Sequence, residues 1–453
     1  MILDDDSRHA NLLPYDPVPT DKGGAAVLHH GTSWQRICAI IIANMLGTGV
    51  LSMPYAASVM GWIPAAVLLL AFAMAALYSG LLYARLYQAV PQAKSLTDIA
   101  TIAWGQRGKR VVGTVAYVYI GGVTVIFHLT ATLAINAVFY DVAGLKCAWV
   151  ASAGVAALML LLLQVRDMGD VGALAAAGTV AIAAPLVIIL VVLISGKGGA
   201  PDDDDDDDDE SQTNALSTFG VAAMDVAFAF AGQVIFIELQ SDMARPQDFP
   251  KAVAASLSVM APVYGVIGAV GFAAIGKAAL ANGKPITSQL EEGTILRVVN
   301  AFLAFHVIVA YVIEGNVLAR AIMSVLPRGG RGGGGNDGRP GWWQEPEGGG
   351  NDDDNRGEWR IATVLVVGIA FTLSNLVPFF SDVMGLAAAL CAILLSFTFP
   401  MLLGKELIRN MTPREVLITN LALPVTVAVA IAGTAASVAS IVGNLSSGKP
   451  FQC

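Results

Sequence analysis

Eleven stretches of this chain are each apolar over roughly the 20 residues that a helix needs to cross a hydrocarbon core of about 30 Å, and this repetition decides the fold class. They cover residues 35–56, 62–87, 111–140, 148–165, 170–195, 216–238, 251–276, 294–322, 360–378, 382–403 and 416–442. In lipid every backbone N–H and C=O needs a partner within the chain, and these segments are too long and too evenly apolar for barrel strands. The expectation is an all-α polytopic membrane protein. Residues 34–443 would form one eleven-helix domain between a cytosolic tail at 1–33 and a short non-cytosolic tail at 444–453. The N-terminus is polar and acidic, with no basic stretch leading into an apolar one, so no cleavable signal peptide is expected.

Charge fixes the orientation. With the N-terminus inside, twenty Lys and Arg fall on the inner side and six on the outer, accounting for all 26. Inner loops of membrane proteins carry this excess, so the N-terminus is expected in the cytosol. The 35 acidic residues leave a net charge of -9, but Asp202 to Asp209 and Glu210 supply nine of them in one run. That run falls on the outer loop 197–215, where it reads as a solvated segment. The remainder is neutral, which leaves no basic surface for nucleic acid. A second biased segment, rich in Gly, lies in the cytosolic loop 325–359 and reads as a linker. The four cysteines show no CxxC or Cys/His spacing, so no metal site or disulfide framework is indicated; a Cys147 to Cys453 bridge is the one pairing left open.

Two apolar segments are interrupted in mid-membrane. The first carries Gly47-Thr48-Gly49 and then Pro54, and the sixth carries Ala231-Gly232 between two apolar halves. Glycine there either frees amides and carbonyls for a ligand or lets helices pack closely. Interrupted helices five apart, one in each half of a ten-helix core, form the pattern of a secondary transporter built from an inverted repeat. Half-helix N-termini then face an anionic group and unwound carbonyls face a cation. A zwitterionic amino acid satisfies both ends.

The same residues resemble the amino acid/auxin permease family of the amino acid-polyamine-organocation superfamily. The first segment reads Gly47-Thr48-Gly49-Val50-Leu51-Ser52-Met53-Pro54-Tyr55-Ala56 and then Gly61-Trp62, similar to the family's first helix. Asp225 through Gly232-Gln233 is similar to its sixth helix, and Glu238 to Met243 with Pro246 and Asp248 through Lys251 to the cytosolic exit. His306 to Tyr311 is similar to the eighth helix of the plant amino acid permease and lysine-histidine transporter branches. The resemblance covers residues 33–443. It implies a LeuT-like five-plus-five inverted repeat with helices 1 and 6 broken, and cation-coupled amino acid transport across a plasma, vacuolar or endosomal membrane. Two departures stand out. Many relatives have Asn where this chain has Ala43, with Asn44 one residue closer to the motif, and Val309-Ala310 replace Gly-Ser.

The expected substrate contacts are the amides of Gly47, Thr48 and Gly49 for the carboxylate and the carbonyls of Phe230, Ala231 and Gly232 for the ammonium. Replacing Gly49 with Val is expected to abolish uptake in a protein that still reaches the membrane. Ionisable groups inside a membrane are costly and mark functional positions, which selects His128, Asp225, His306 and Glu314. The first three, with Asn44, are the coupling candidates. A histidine there either titrates or is a neutral packing residue. The displaced Asn and the plant-like eighth segment favour protons over sodium as the coupling ion. A sodium-coupled transporter and an amino acid sensor on the same fold are the alternatives. No nucleophile, metal cluster or acid pair lies at one depth, so no enzyme, cofactor or metal is expected. The expected partners are the bilayer and a small amino acid, with the oligomeric state open.

Overall fold

A computed structural model describes residues 32–142, 147–164, 171–195, 212–276, 280, 283–325 and 352–447. The acidic run, most of the Gly-rich loop, nearly all of the N-terminal tail and residues 448–453 with Cys453 lie outside the described residues. Among these residues the chain is helical, with one isolated parallel bridge between Thr32 and Met243.

The first span is broken: α1 (Trp34–Met45) stops at Leu46, a 3-10 turn follows at Thr48–Ser52, and α2 (Met53–Met60) continues with Pro54 in its first turn. Proline suits that position, because its missing N–H falls where a helix has no intrahelical acceptor. The two halves are bent by 48°. Then come α3 (Trp62–Ala89), α4 (Leu96–Val138), α5 (Ala148–Leu162), α6 (Val171–Ile194) and the second broken span. This consists of α7 (Gln212–Ala229), a 3-10 turn at Gln233–Ile235 and α8 (Phe236–Ser241). After it run α9 (Phe249–Ile275), α10 (Thr294–Val325), α11 (Asp352–Leu376), α12 (Phe380–Ala387), α13 (Phe399–Leu407) and α14 (Pro413–Ser447).

Among the described residues, eight helical segments are long and apolar enough to cross a membrane, and the bent first pair qualifies when taken together. The shorter apolar helices Ala148–Leu162 and Val180–Ile194 fall on the fourth and fifth predicted spans. The arrangement is thus compatible with eleven. Three stretches that read as loop in the sequence are helical. Leu96–Trp104 precedes a kink at Gly105 (φ 64°), where the left-handed backbone suits glycine. Ser95 caps that piece, accepting from Asp98 N at 3.2 Å while Lys94 N donates to the Asp98 carboxylate at 3.0 Å. α7 begins at Gln212 and α11 at Asp352, inside the expected outer and inner loops. Cys147 is disulfide-bonded, whereas Cys38 and Cys391 are free thiols.

Burial separates the helices into an inner and an outer set. In the most apolar stretches of Ala215–Ser241 and Phe380–Leu407, 78% of residues are buried, against 17% in Pro413–Leu445, so the sixth and tenth spans form the centre and α14 flanks them. The tenth span relaxes into π turns at Ala388–Ala392 and Leu394–Thr398. Side chains of α3 occupy carbonyls there: Tyr83 OH donates to Leu395 O at 2.7 Å and Ser79 Oγ donates to Ser396 O. Backbone groups with no water at hand are satisfied from a neighbouring helix.

Candidate functional site

The two breaks meet. A Cβ placed on Gly49 would lie 2.8 Å from Ala229 Cα, and one on Gly232 would lie 2.5 Å from Met45 Cγ and 3.1 Å from Asn44 Nδ2. Glycine at these positions lets the backbones of the first and sixth spans approach as no side chain would allow. Thr48, Gly49, Phe230, Ala231 and Gly232 are all buried.

Hydroxyls and amides from neighbouring residues hold the breaks open in shape. Tyr264 of α9 places its hydroxyl 2.8 Å from Met45 O, the last carbonyl of α1, and 3.0 Å from Ala229 O, the last of α7. One phenol thus serves the carbonyl ends of both half-helices, which have no intrahelical donors. Gln233 closes the second break on itself: Gly232 N donates to Oε1 at 2.9 Å, and Nε2 donates to Phe230 O at 2.8 Å. Tyr119 of α4 donates to Ala231 O at 3.3 Å. The carbonyls expected to bind a cation therefore already hold one donor each at Phe230 and Ala231, with a second lone pair remaining. Replacing Tyr264 with Phe should cost about 1–3 kcal/mol, the usual result of orphaning a buried acceptor, read as a lower unfolding midpoint of the detergent-purified protein.

His306 of α10 stands at the first break. Its Nδ1 lies 2.8 Å from Gly178 O on α6, and its Nε2 is the atom nearest to where a Cβ on Gly47 would sit, at 3.9 Å. A carbonyl only accepts, so Nδ1 carries the hydrogen and the other nitrogen is turned to Gly47. Neutral His306 then presents a lone pair to the break, and the imidazolium presents an N–H. Asn44 lies beside Gly232, its Nδ2 3.1 Å from where a Cβ there would sit, and is exposed.

The other ionisable candidates occupy different ground. His128 packs among α5, α10 and α11: its Nε2 is 3.0 Å from Ser152 Oγ, which also accepts from Asn375 Nδ2 at 2.7 Å, and its ring meets Tyr311 and Phe371 edge-on. Its Nδ1 is buried without a hydrogen-bond partner. Asp225 is fully buried on α7, with the hydroxyls of Ser52 and Ser381 nearest to it. Glu314 acts electrostatically on Tyr119. An open crevice of about 420 Å³ lies on the apolar face of α6 and α10, lined by Val180, Ala181, Val298, Ala301, Phe302 and Phe305. Its chemistry suits an acyl chain, not a zwitterion.

Tyr264, Tyr119, Gln233 and Asp382 lie outside the set of residues that the sequence singles out. Two of them carry a signal: Gln233 directly follows Gly232, and Tyr264 is a polar tip in an otherwise apolar segment.

Residues 30–443 match the family described as Transmembrane amino acid transporter protein. Amino acid permease 2 of Arabidopsis thaliana is 25% identical, covering 93% of this chain and 90% of its own. The N amino acid transport system protein of Neurospora crassa is 20% identical over 87% of this chain and 80% of its own. Among solved structures, MhsT in complex with L-phenylalanine superposes with a TM-score of 0.55 at 11% identity, over 88% of this chain and 98% of its own. A manganese transporter of Eremococcus coleocola follows at 0.51 and 11%, over 94% of this chain and 90% of its own. At that identity the likeness is one of fold, and a fold alone does not fix a substrate.

Proposed function

We propose, from the premise that this chain belongs to the transmembrane amino acid transporter family, that it is a proton-coupled secondary transporter of amino acids with its substrate site between the two helix breaks. It is a multi-pass integral membrane protein and not an enzyme. The observation that carries the reading is the close approach of the two breaks, Gly49 against Ala229 and Gly232 against Met45 and Asn44, with His306 beside Gly47.

The helix following the first break starts at Thr48, so the Thr48 and Gly49 amides lack intrahelical acceptors and sit at the positive end of a helix dipole. They suit a carboxylate. The second lone pairs of the Phe230 and Ala231 carbonyls, with the Gly232 carbonyl, suit an ammonium. His306 links substrate to proton. A carboxylate near Gly47 is met by a lone pair when the ring is neutral and by a donor when Nε2 is protonated, so anion and proton bind better together than apart. The Lys and Arg asymmetry supports an N-terminus in the cytosol, with the exterior or an organelle lumen on the opposite side.

Proteoliposomes holding the full-length protein test this with a panel of labelled neutral, basic and acidic amino acids. An inward proton gradient, with choline replacing sodium, should drive uptake of at least one of them above its external concentration. A sodium requirement would overturn proton coupling. Binding without flux would point to a sensor.

A further inference from the structure

Asp225 sits on α7 in a pocket that leaves a carboxylate without the donors it needs. The side chain is fully buried, and neither Oδ1 nor Oδ2 has a hydrogen-bond donor. Its nearest hydroxyls belong to Ser52 and Ser381. Each of those has one hydrogen, and each directs it elsewhere: Ser52 Oγ donates to Gly49 O at 3.0 Å and Ser381 Oγ to Gly283 O at 3.1 Å. Neither hydroxyl makes a hydrogen bond to Asp225. An ionised carboxylate is acceptor-only, so here it bears the cost of a buried charge with no donor. The neutral acid avoids that cost.

The neighbouring acid provides the contrast. Asp382 on α12 is also buried, but Ser440 Oγ donates to its Oδ1 at 2.8 Å and Asn444 Nδ2 to its Oδ2 at 2.7 Å. Two donors on two oxygens suit an ionised carboxylate. Asp382 is the one charged group found to act on Asp225 among the described residues. The other elements packed on α7 bring no charge to this region. The second half of the first span brings Ser52 and Tyr55, α14 brings Ser437, Ser440 and Asn444, and the π turn at Ala388–Ala392 brings Ala389 beside Met224 through Gly433. The single charged residue of α3, Arg85, is tied to Glu415 at the far end of that helix.

We propose that Asp225 is a proton-binding site, distinct from His306 and bordering the first break at Ser52, that holds its proton while Ser52 and Ser381 cover it and exchanges it with water when the Ser381-Asp382 end of α12 moves away. Only the use of that proton in transport rests on the functional reading above.

Infrared spectroscopy of the purified full-length protein, with no amino acid added, tests the site directly. At neutral pH the wild type should show the C=O band of a protonated carboxylic acid that Asp225→Asn removes. In Asp382→Asn the band should persist and disappear at a lower pH than in wild type, because a like charge that opposed ionisation is gone. If Asp225→Asn does not fold, wild type labelled with ¹³C-aspartate gives the same reading, since the band must shift with the label. A band unmoved by the variant or the label overturns the proposal. So does a wild-type band that sodium abolishes at fixed pH, which would make the carboxyl a metal-ion ligand. Failure of every amino acid to be transported would leave this readout untouched.

Discussion

His306→Gln should lower proton-driven uptake by roughly tenfold or more, since a hydrogen bond to a charged group contributes about 1.5–3 kcal/mol and 1.4 kcal/mol is a factor of ten. Glutamine keeps an amide able to donate toward Gly178 O but cannot gain a charge. The variant should therefore fold, reach the membrane in normal amount and lose the rise of uptake with external acidity. Initial rates across a pH series, normalised to protein in the membrane, measure both effects. Wild-type rates with an unaltered pH profile would remove His306 from the coupling scheme. His128→Gln is the control. Its partners Ser152, Tyr311 and Phe371 place it in helix packing, so it should lower thermal stability and leave the pH profile in place.

The second large effect comes from neighbouring glycines that behave differently. Gly49→Val puts side-chain atoms where Ala229 Cα already stands, 2.8 Å from the first carbon added. Overpacking costs about 1–3 kcal/mol when side chains can shift, and here the obstacle is backbone. The expected result is little folded protein in the membrane. From the sequence alone the expectation is a folded but inactive variant, and the close approach of the two breaks is the reason to expect otherwise. Gly47→Ala supplies that dissection. Its methyl would meet only His306 Nε2, at an ordinary 3.9 Å, so the protein should accumulate and melt like wild type. Uptake should nevertheless fall sharply, because the methyl occupies the space between the imidazole and the Thr48 amide. Size-exclusion profiles and uptake of the two variants side by side check the split. Equal behaviour would show that both glycines serve packing alone.

The breaks are legible because glycine inside an apolar run is a local signal, and so are the spans, whose length the bilayer dictates. The side chains that shape the breaks are not. Tyr264 reaches Met45 across 219 positions and Ala229 across 35, and no periodicity within α9 encodes that reach. Asp382 escapes notice because a charge near a span's end reads as headgroup contact, whereas the fold buries it under α14. Leu96–Trp104 is too short and too polar to span a membrane, so it carries no apolar signal of its own. Its helicity rests on the Ser95 cap and the turn at Gly105. Among the ionisable residues, sequence singles out the candidates but does not sort them. His128 and His306 look alike as lone histidines in apolar helices, and only their neighbours divide a packing role from one beside the break.

The bridge at Thr32 has a mechanical consequence. Thr32 N donates to Asp242 O at 2.8 Å and Ala244 N to Thr32 O at 3.1 Å, joining the start of α1 to the end of α8 through main chain alone. The Tyr264 hydroxyl joins the first and sixth spans again at mid-depth. The main-chain clasp ties α1 to α8 at one end, and Tyr264 ties the other end of α1 to α7. An opening on that face either swings the pair as one body, pivoting at Leu46-Gly47 and Gly232, or first unfastens the clasp. Because the clasp is backbone, side-chain substitution at Thr32 or Met243 leaves its hydrogen bonds in place, and proline at Thr32 or Ala244 is the change that would cut a strand of it.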